Sequence, residues 1–415
     1  MNTSLAPNPL LSATQRLPAA ARAVQAVLAH IRVGHLTVHW PDGSVQHVGQ
    51  PDGLRATLVM HNWQPCVAAL RSGDIGFAES YVAGDWSSPD LAALLQLMSA
   101  NRQALDGLIF GHWAARLVNR ARHWLNRNTK ANSRKNIHAH YDLGNAFYSL
   151  WLDPSMNYSS AWFAEGSDAL DADLTPEAFT AAQHDKVRRV LDEAGVVPGS
   201  RVLEIGCGWG ALAEMATTDF GAHLTGVTLS TEQLAWARQR MAALGRSDQA
   251  DLRLQDYRDI ADGPYDAICS VEMVEAVGQA YWPTYFGAVS RLLKPGGKAC
   301  IQSIVIQDGL FERYVKSTDF IQQYIFPGGC LPSAQAFRQQ AQAQGLEVVN
   351  ELSFGLDYAQ TCRIWRERFL ARKEQVLHLG FDERFVRIWE FYLAYCEAGF
   401  RTGDIHVMQF TLAKR

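Results

Sequence analysis

Apolar positions recur along this chain with two periods, and the place where one gives way to the other divides it in two. After an opening tail broken by Pro7 and Pro9, Val24, Val27, Leu28 and Ile31 fall at helical spacing and predict an amphipathic helix. Leu36, Val38 and Trp40 then alternate with polar residues, Pro41-Asp42-Gly43 supplies a turn, and Val45 and Val48 follow, which together predict a hairpin. Beyond a glycine-punctuated stretch from Gly73 to Tyr81 and the sequence Gly84-Asp85-Trp86, the apolar run from Leu91 to Met98 reads as another helix. Residues 1–115 are therefore expected to form a small α+β domain.

Past residue 195 the pattern becomes strand, helix, strand, helix. Strands are expected at Arg201–Ile205, His223–Val227, Leu252–Leu254, Tyr265–Ser270 and Lys298–Ile306, with a late strand over Asp404–Lys414. This alternation predicts an α/β fold with a Rossmann-like, doubly wound parallel sheet whose ligands bind beyond the carboxyl ends of the strands. Tyr358, next to Asp357, falls in an expected loop, and Cys396 in a helical stretch from Phe391 to Phe400.

Composition acts mainly by exclusion. With 48% hydrophobic and 19% charged residues in 415, the chain is globular and long enough for two or three domains. A net charge of −4 is too small to attract nucleic acid through the overall field. The seven cysteines are scattered and include no Cys-x-x-Cys pair, against a disulfide framework or structural zinc and in favour of a reducing cytoplasm. The first residues carry no basic n-region, and no apolar run approaches the ~18 residues of a membrane span, so neither secretion nor spanning is expected. One local exception is residues 116–135, where Arg116, Arg120, Arg122, Arg127, Lys130, Arg134 and Lys135 occur without an acidic residue. This basic linker is either a solvated connection or a segment that meets anionic lipid headgroups.

Candidate chemistry begins where the first parallel strand runs into Glu204-Ile205-Gly206-Cys207-Gly208-Trp209-Gly210 and then a helix. Gly206, Gly208 and Ala211 also satisfy a dinucleotide fingerprint, which is weak by itself. A nicotinamide site wants an acidic residue on the next strand, about 20 residues on, where this chain has Gly226-Val227-Thr228-Leu229-Ser230. The loop instead resembles that of class I methyltransferases, which lay the methionine and ribose of S-adenosylmethionine (SAM) against glycine backbone.

The block from Asn136 to Asn145, with His138, His140, Tyr141 and Asp142, and the block from Leu152 to Phe163 carry a more specific likeness. Together with Leu254–Asp259, Ser270–Gly278, Tyr324–Ser333 and Phe400–Ile405, they resemble the cyclopropane-fatty-acyl-phospholipid synthases, a mycolic acid cyclopropane synthase-like family, over roughly residues 130–415. The resemblance implies a class I SAM-dependent methyltransferase catalytic domain over 136–415. It also implies transfer of the SAM methyl carbon to a cis double bond of an acyl chain in a membrane phospholipid, at the cytoplasmic face of the membrane, and a homodimer as the oligomeric expectation. Attack by the alkene leaves a carbocation, so aromatic faces and a carboxylate must stabilise positive charge and a base must remove a proton.

By motif position, the family's cofactor contacts fall on Tyr158, Ser159, Gly206, Gly208, Thr228, Leu229, Ser230, Gln233, Gln255, Asp256 and Tyr257. The resemblance also implies bicarbonate as the base, held by groups that match Glu275, Tyr358 and the backbone of Ile304, with Cys396 near the site. Two positions depart from the family: its cysteine is Ser160 here and its histidine is Gln302. Both can hydrogen-bond to an anion, but Gln302 cannot carry positive charge or relay a proton. If bicarbonate is absent, Glu275 is the nearest candidate base. A cyclopropane is the first expectation and a methylene- or methyl-branched chain the second. A non-catalytic lipid-binding protein and a methyltransferase of another hydrophobic small molecule stand as alternatives. Phe320, Tyr324, Ile325 and Phe326 suit either an acyl tunnel or ordinary core.

Overall fold

The computed structural model describes residues 17–109, 143–163 and 174–415. The basic segment 116–135 and the block from Asn136 as far as Asp142 lie outside these residues. The expected opening helix spans Ala19–Leu28 and buries Val24 and Leu28. The expected hairpin is β1 (His35–His39) and β2 (Val45–Gly49), paired antiparallel. Two further strands, β3 (Arg55–Met60) and β4 (Trp86–Ser87), complete a sheet of order β2-β1-β3-β4. The helix Gln64–Ala83 is broken at Gly73, whose φ of 64° and ψ of −138° a side chain would resist.

The large sheet has the order β10-β11-β9-β8-β5-β6-β7. Its strands are β5 (Arg201–Ile205), β6 (His223–Thr228), β7 (Ala250–Leu254), β8 (Tyr265–Val271), β9 (Leu293–Ile306), β10 (Leu346–Ser353) and β11 (Ile405–Lys414). Strands β5 to β9 pair in parallel, as the alternating pattern predicts. β11 runs antiparallel to β9, and β10 antiparallel to β11, so one edge departs from the all-parallel expectation. The β5 residues Val202, Leu203 and Ile205 are fully buried between helical layers, the reason this strand reads as a continuous apolar run.

The small sheet and the large sheet are joined through the helix Glu383–Thr402, which packs on both the helix Leu91–Ala100 and the helix Gly355–Ala371. Phe391 on that helix meets Tyr81 and Phe320, with centroids 5.6 and 4.8 Å apart. Tyr81 also donates to Glu390 at 2.8 Å, and Arg102 pairs with Asp404 at 2.6 Å. Tyr358 sits in the Gly355–Ala371 helix rather than in a loop. That helix opens on Gly355, a poor helix former, without a side-chain cap, so nothing local announces its start. Among the described residues no helix is long and apolar enough to cross a membrane, and no cluster of His, Cys, Asp and Glu could hold a metal ion.

Candidate active site

Five parallel strands end on the same side of the large sheet, and their carboxyl ends open into one cavity of about 500 Å³. After β5, Gly206, Gly208 and Gly210 all take positive φ, 89°, 49° and 86°. A Cβ on Gly206 would stand 2.3 Å from Cγ of Met273, whereas one on Gly208 would meet nothing within 4 Å. Gly206 is thus required by packing, and Gly208 by the turn. After β6, Ser230 caps the helix Thr231–Ala243 by accepting from the Gln233 amide, while Thr228 Oγ1 donates to the Gln233 side chain at 3.0 Å. Thr228, Leu229 and Gln233 line the cavity; Ser230 is buried beside it in its capping role. After β7, Gln255, Asp256 and Tyr257 line it as well. Asp256 is gripped by Arg258 at 2.5 Å, whereas the buried hydroxyl of Tyr257 has no hydrogen-bond partner.

Opposite the glycine loop lie Tyr158 and Ser159. Tyr158 shares a 2.8 Å hydrogen bond with Tyr392. Ser159 accepts from Lys186, a fully buried lysine whose ammonium burial pushes down to about 8. Lys186 was not singled out from sequence, nor was Glu204 at the end of β5. The carboxyl of Glu204 lines the cavity, has one oxygen without a hydrogen-bond partner, and is pushed by burial to about 8, opposed by Lys186. These groups suit SAM: approachable glycine backbone, an unpartnered phenol, and buried carboxyl and amine groups beside it.

The expected anion-binding residues converge on a side chain that sequence reasoning passed over, Glu272. Its Oε1 accepts from the Ser160 backbone N–H at 3.0 Å and from Gln302 Nε2 at 2.8 Å, and its Oε2 accepts from the Tyr358 hydroxyl at 2.6 Å. The Ser160 hydroxyl does not take the place expected of it, because it donates to the neighbouring Ala161 carbonyl at 2.8 Å. Glu272 follows β8 at a φ of 53°, one of two non-glycine residues with positive φ among the described residues. Three residues on, Glu275 accepts the Ile304 N–H on Oε1, while its buried Oε2 has no partner. Burial and the charge of Glu272 push Glu275 up to about 8. Burial also raises Glu272, but Tyr358, Ser160, Lys186 and Gln302 all oppose the rise. Cys396 lines the cavity, and burial pushes its thiol well up, so it is held as the neutral thiol.

Gln302 is itself oriented. Its register partner across β9 and β11 is Gln409, which donates to Gln302 Oε1 at 3.0 Å and accepts from Arg189 at 2.5 Å. With its oxygen engaged, Gln302 turns its NH2 toward Glu272. The sequence signal for this site was a pair of glutamates three residues apart after a parallel strand, of which only the second was chosen.

From the reacting centre the cavity continues past Phe320, Phe326 and Phe391 into the interior of the small domain, where Leu28, Leu58, Met60, Ala69 and Leu95 line it. This wall is apolar apart from a few groups, among them Asp74, which burial and nearby Asp319 push up to about 7.

Comparison with known proteins adds the following. A family model described as mycolic acid cyclopropane synthetase matches residues 128–410. The chain is 42% identical over 404 residues to the tuberculostearic acid methyltransferase of Mycobacterium tuberculosis, covering 96% of this chain and 92% of that one. It is 35% identical over 347 residues to the cyclopropane-fatty-acyl-phospholipid synthase of Escherichia coli, covering 83% and 84%. Among solved structures, the mycolic acid cyclopropane synthase CmaA1 complexed with SAH and CTAB is similar with a TM-score of 0.61 and 31% identity, over 68% of this chain and 98% of that one.

Proposed function

Because the chain belongs to the mycolic acid cyclopropane synthetase family of SAM-dependent methyltransferases that act on lipids, we propose that it adds one carbon to the cis double bond of an unsaturated acyl chain carried by a membrane phospholipid. The observation that carries this reading is the cavity, which joins the glycine loop to the apolar interior of the small domain. A small water-soluble acceptor would not call for an apolar space of that reach; a long acyl chain would. SAM supplies an electrophilic methyl carbon on a sulfonium. The protein's part is to hold the alkene in line, exclude water, and place aromatic rings and carboxylates about the resulting cation. Tyr158, Tyr358 and Tyr392 supply the rings, and Glu272 and Glu275 the carboxyl groups. The basic segment 116–135 supports delivery of that chain from an anionic membrane surface, and vesicle binding should then weaken with salt.

For the product, our reading places a methylene branch ahead of a cyclopropane ring. It is supported by the departures at Ser160 and Gln302, and by the similarity to a tuberculostearic acid methyltransferase over nearly the whole chain. A carboxylate whose three hydrogen bonds oppose the basicity that burial gives it removes a proton more slowly than an unbonded one would, which gives the cation time for a hydride shift before proton loss. The test is incubation of the protein with methyl-labelled SAM and vesicles of monounsaturated phospholipid, followed by mass spectrometry and NMR of the acyl chains. A signal from a methylene branch (C=CH2) supports this reading, a cyclopropane signal reverses the order of products, and label absent from lipid removes the reading altogether.

A further inference from the structure

We propose that the carboxylate of Glu272 is a built-in base, standing where the family resemblance places a free bicarbonate, so that turnover requires no exchangeable anion. This rests on the proposed transfer of a carbon to an alkene and goes beyond it by naming the group that ends the reaction. Two of the side chains that resemblance assigns to the anion, Gln302 and Tyr358, already donate to Glu272, as does the backbone N–H of Ser160, all within 3.0 Å, while the Ser160 hydroxyl donates to the Ala161 carbonyl. The remaining two, Glu275 and the Ile304 N–H, are bonded to each other. Of the set only Glu275 Oε2 is without a partner, and one buried carboxyl oxygen does not by itself hold an anion. A bicarbonate would also add a negative charge beside Glu272 in a buried site, where like charges are expensive.

The supports around Glu272 are built for a fixed carboxylate. The relay from Arg189 through Gln409 turns the Gln302 amide toward it, and buried Lys186 contributes positive charge nearby. The backbone at Glu272 holds the left-handed φ of 53° that carries the side chain into this nest of donors. Glu275, with burial and Glu272 both favouring its protonated form, leaves Glu272 as the ionised member of the pair.

The electron count closes with these groups alone. The π pair of the alkene forms the new C–C bond as the S–CH3 bond breaks, leaving a cation on the adjacent carbon. A hydride moves from the methyl-bearing carbon to that cation. Glu272 takes a proton from the methyl group, and the C–H pair becomes the C=C bond of a methylene branch. If no hydride moves, the same proton goes to the same base and the C–H pair closes a cyclopropane. No oxidant or reductant is consumed, and the proton passes to solvent on product release.

The experiment measures turnover on monounsaturated phospholipid vesicles in carbonate-free buffer and in the same buffer with bicarbonate. The wild-type rates should agree. Glu272→Gly, in which glycine adopts the left-handed φ without strain, should lose ~10²- to 10⁴-fold without carbonate and regain rate saturably with bicarbonate or formate. A wild-type rate that collapses on carbonate removal overturns the proposal, and so does a Glu272→Gly variant that keeps its full rate in carbonate-free buffer. A wild type that labels no lipid defeats the proposed function instead, and binding of isotope-labelled bicarbonate, followed by NMR, then decides the point separately. Saturable binding to Glu272→Gly but not to wild type is expected, and saturable binding to wild type overturns the assignment.

Discussion

The phenol of Tyr358 donates to Oε2 of Glu272 at 2.6 Å, from the first turn of a helix that packs on β11. A hydrogen bond to a charged acceptor contributes roughly 1.5–3 kcal/mol. It also favours the ionised form of Glu272, against burial. Tyr358→Phe should therefore lower kcat by ~10- to 100-fold with little change in SAM affinity, and shift the acid limb of the pH–rate profile upward. The groups facing Glu272 are Glu275, Lys186, Cys362, Cys396 and Tyr358 itself, and phenylalanine changes only the last. A lower rate with an unmoved acid limb would mean that Tyr358 only packs.

Glu275 links the same site to stability. In the unfolded chain a glutamate loses its proton near ~4.3, whereas in the folded protein burial and Glu272 hold Glu275 up to about 8. Between those values the folded state binds more protons. The stability this group contributes is complete below the unfolded pKa and is lost as the pH rises through the folded one. Glu275→Gln stays neutral at every pH and keeps an oxygen for the Ile304 N–H. Its Tm should exceed that of wild type above the folded pKa, with the gap closing toward acid pH. Thermal melts across the pH range check this, and a gap that does not vary with pH would place the ionisation of Glu275 at its ordinary value.

The strands β5, β6, β8 and β9 were legible because they read as largely buried apolar runs after helical patterns, whereas β7, at the sheet edge, buries only Leu252 and showed only as the short run Leu252–Leu254. The glycine loop was legible because Gly206 has no room for a side chain. What escaped depends on contacts distant in sequence. Glu272 and Glu275 look alike in the chain, and only a φ of 53° at Glu272 brings it to Ser160, Gln302 and Tyr358. The Ser160 hydroxyl was expected at the site, but local bonding to Ala161 turns it away and leaves the backbone N–H to act. Tyr358 looked like a loop residue because its helix is held by packing on the Glu383–Thr402 helix rather than by a cap. Lys186 was not singled out, since nothing local tells that it points inward to Ser159.

Gly206→Ala should damage fold and cofactor site together. The left-handed φ of 89° costs a β-carbon ~1–2 kcal/mol. The 2.3 Å approach to Met273 adds an overpacking penalty of ~1–3 kcal/mol. The variant should melt at lower temperature and bind SAM more weakly by calorimetry, with Met273 displaced toward Glu272 and Glu275. Gly208→Ala meets open space and should lose mainly through its backbone. A loss no larger than that of Gly208→Ala would show that Met273 yields freely.

Ala69 lies in the Gln64–Ala83 helix of the small domain, nearly buried, and lines the far part of the cavity. A phenylalanine there fills space that the SAM loop never touches, so Ala69→Phe should leave SAM affinity as it is and shorten the acyl chain the enzyme accepts. The measurement is turnover on vesicles of phospholipids that share a headgroup and differ in the length of the monounsaturated chain. Longer chains should lose rate steeply while the shortest keep theirs, because a chain that stops short of Ala69 does not meet the new ring. A loss that is uniform across chain lengths would separate the small-domain cavity from substrate binding. The acyl chain would then have to leave the reacting centre by another route, and the small domain's buried apolar wall would be no more than its core.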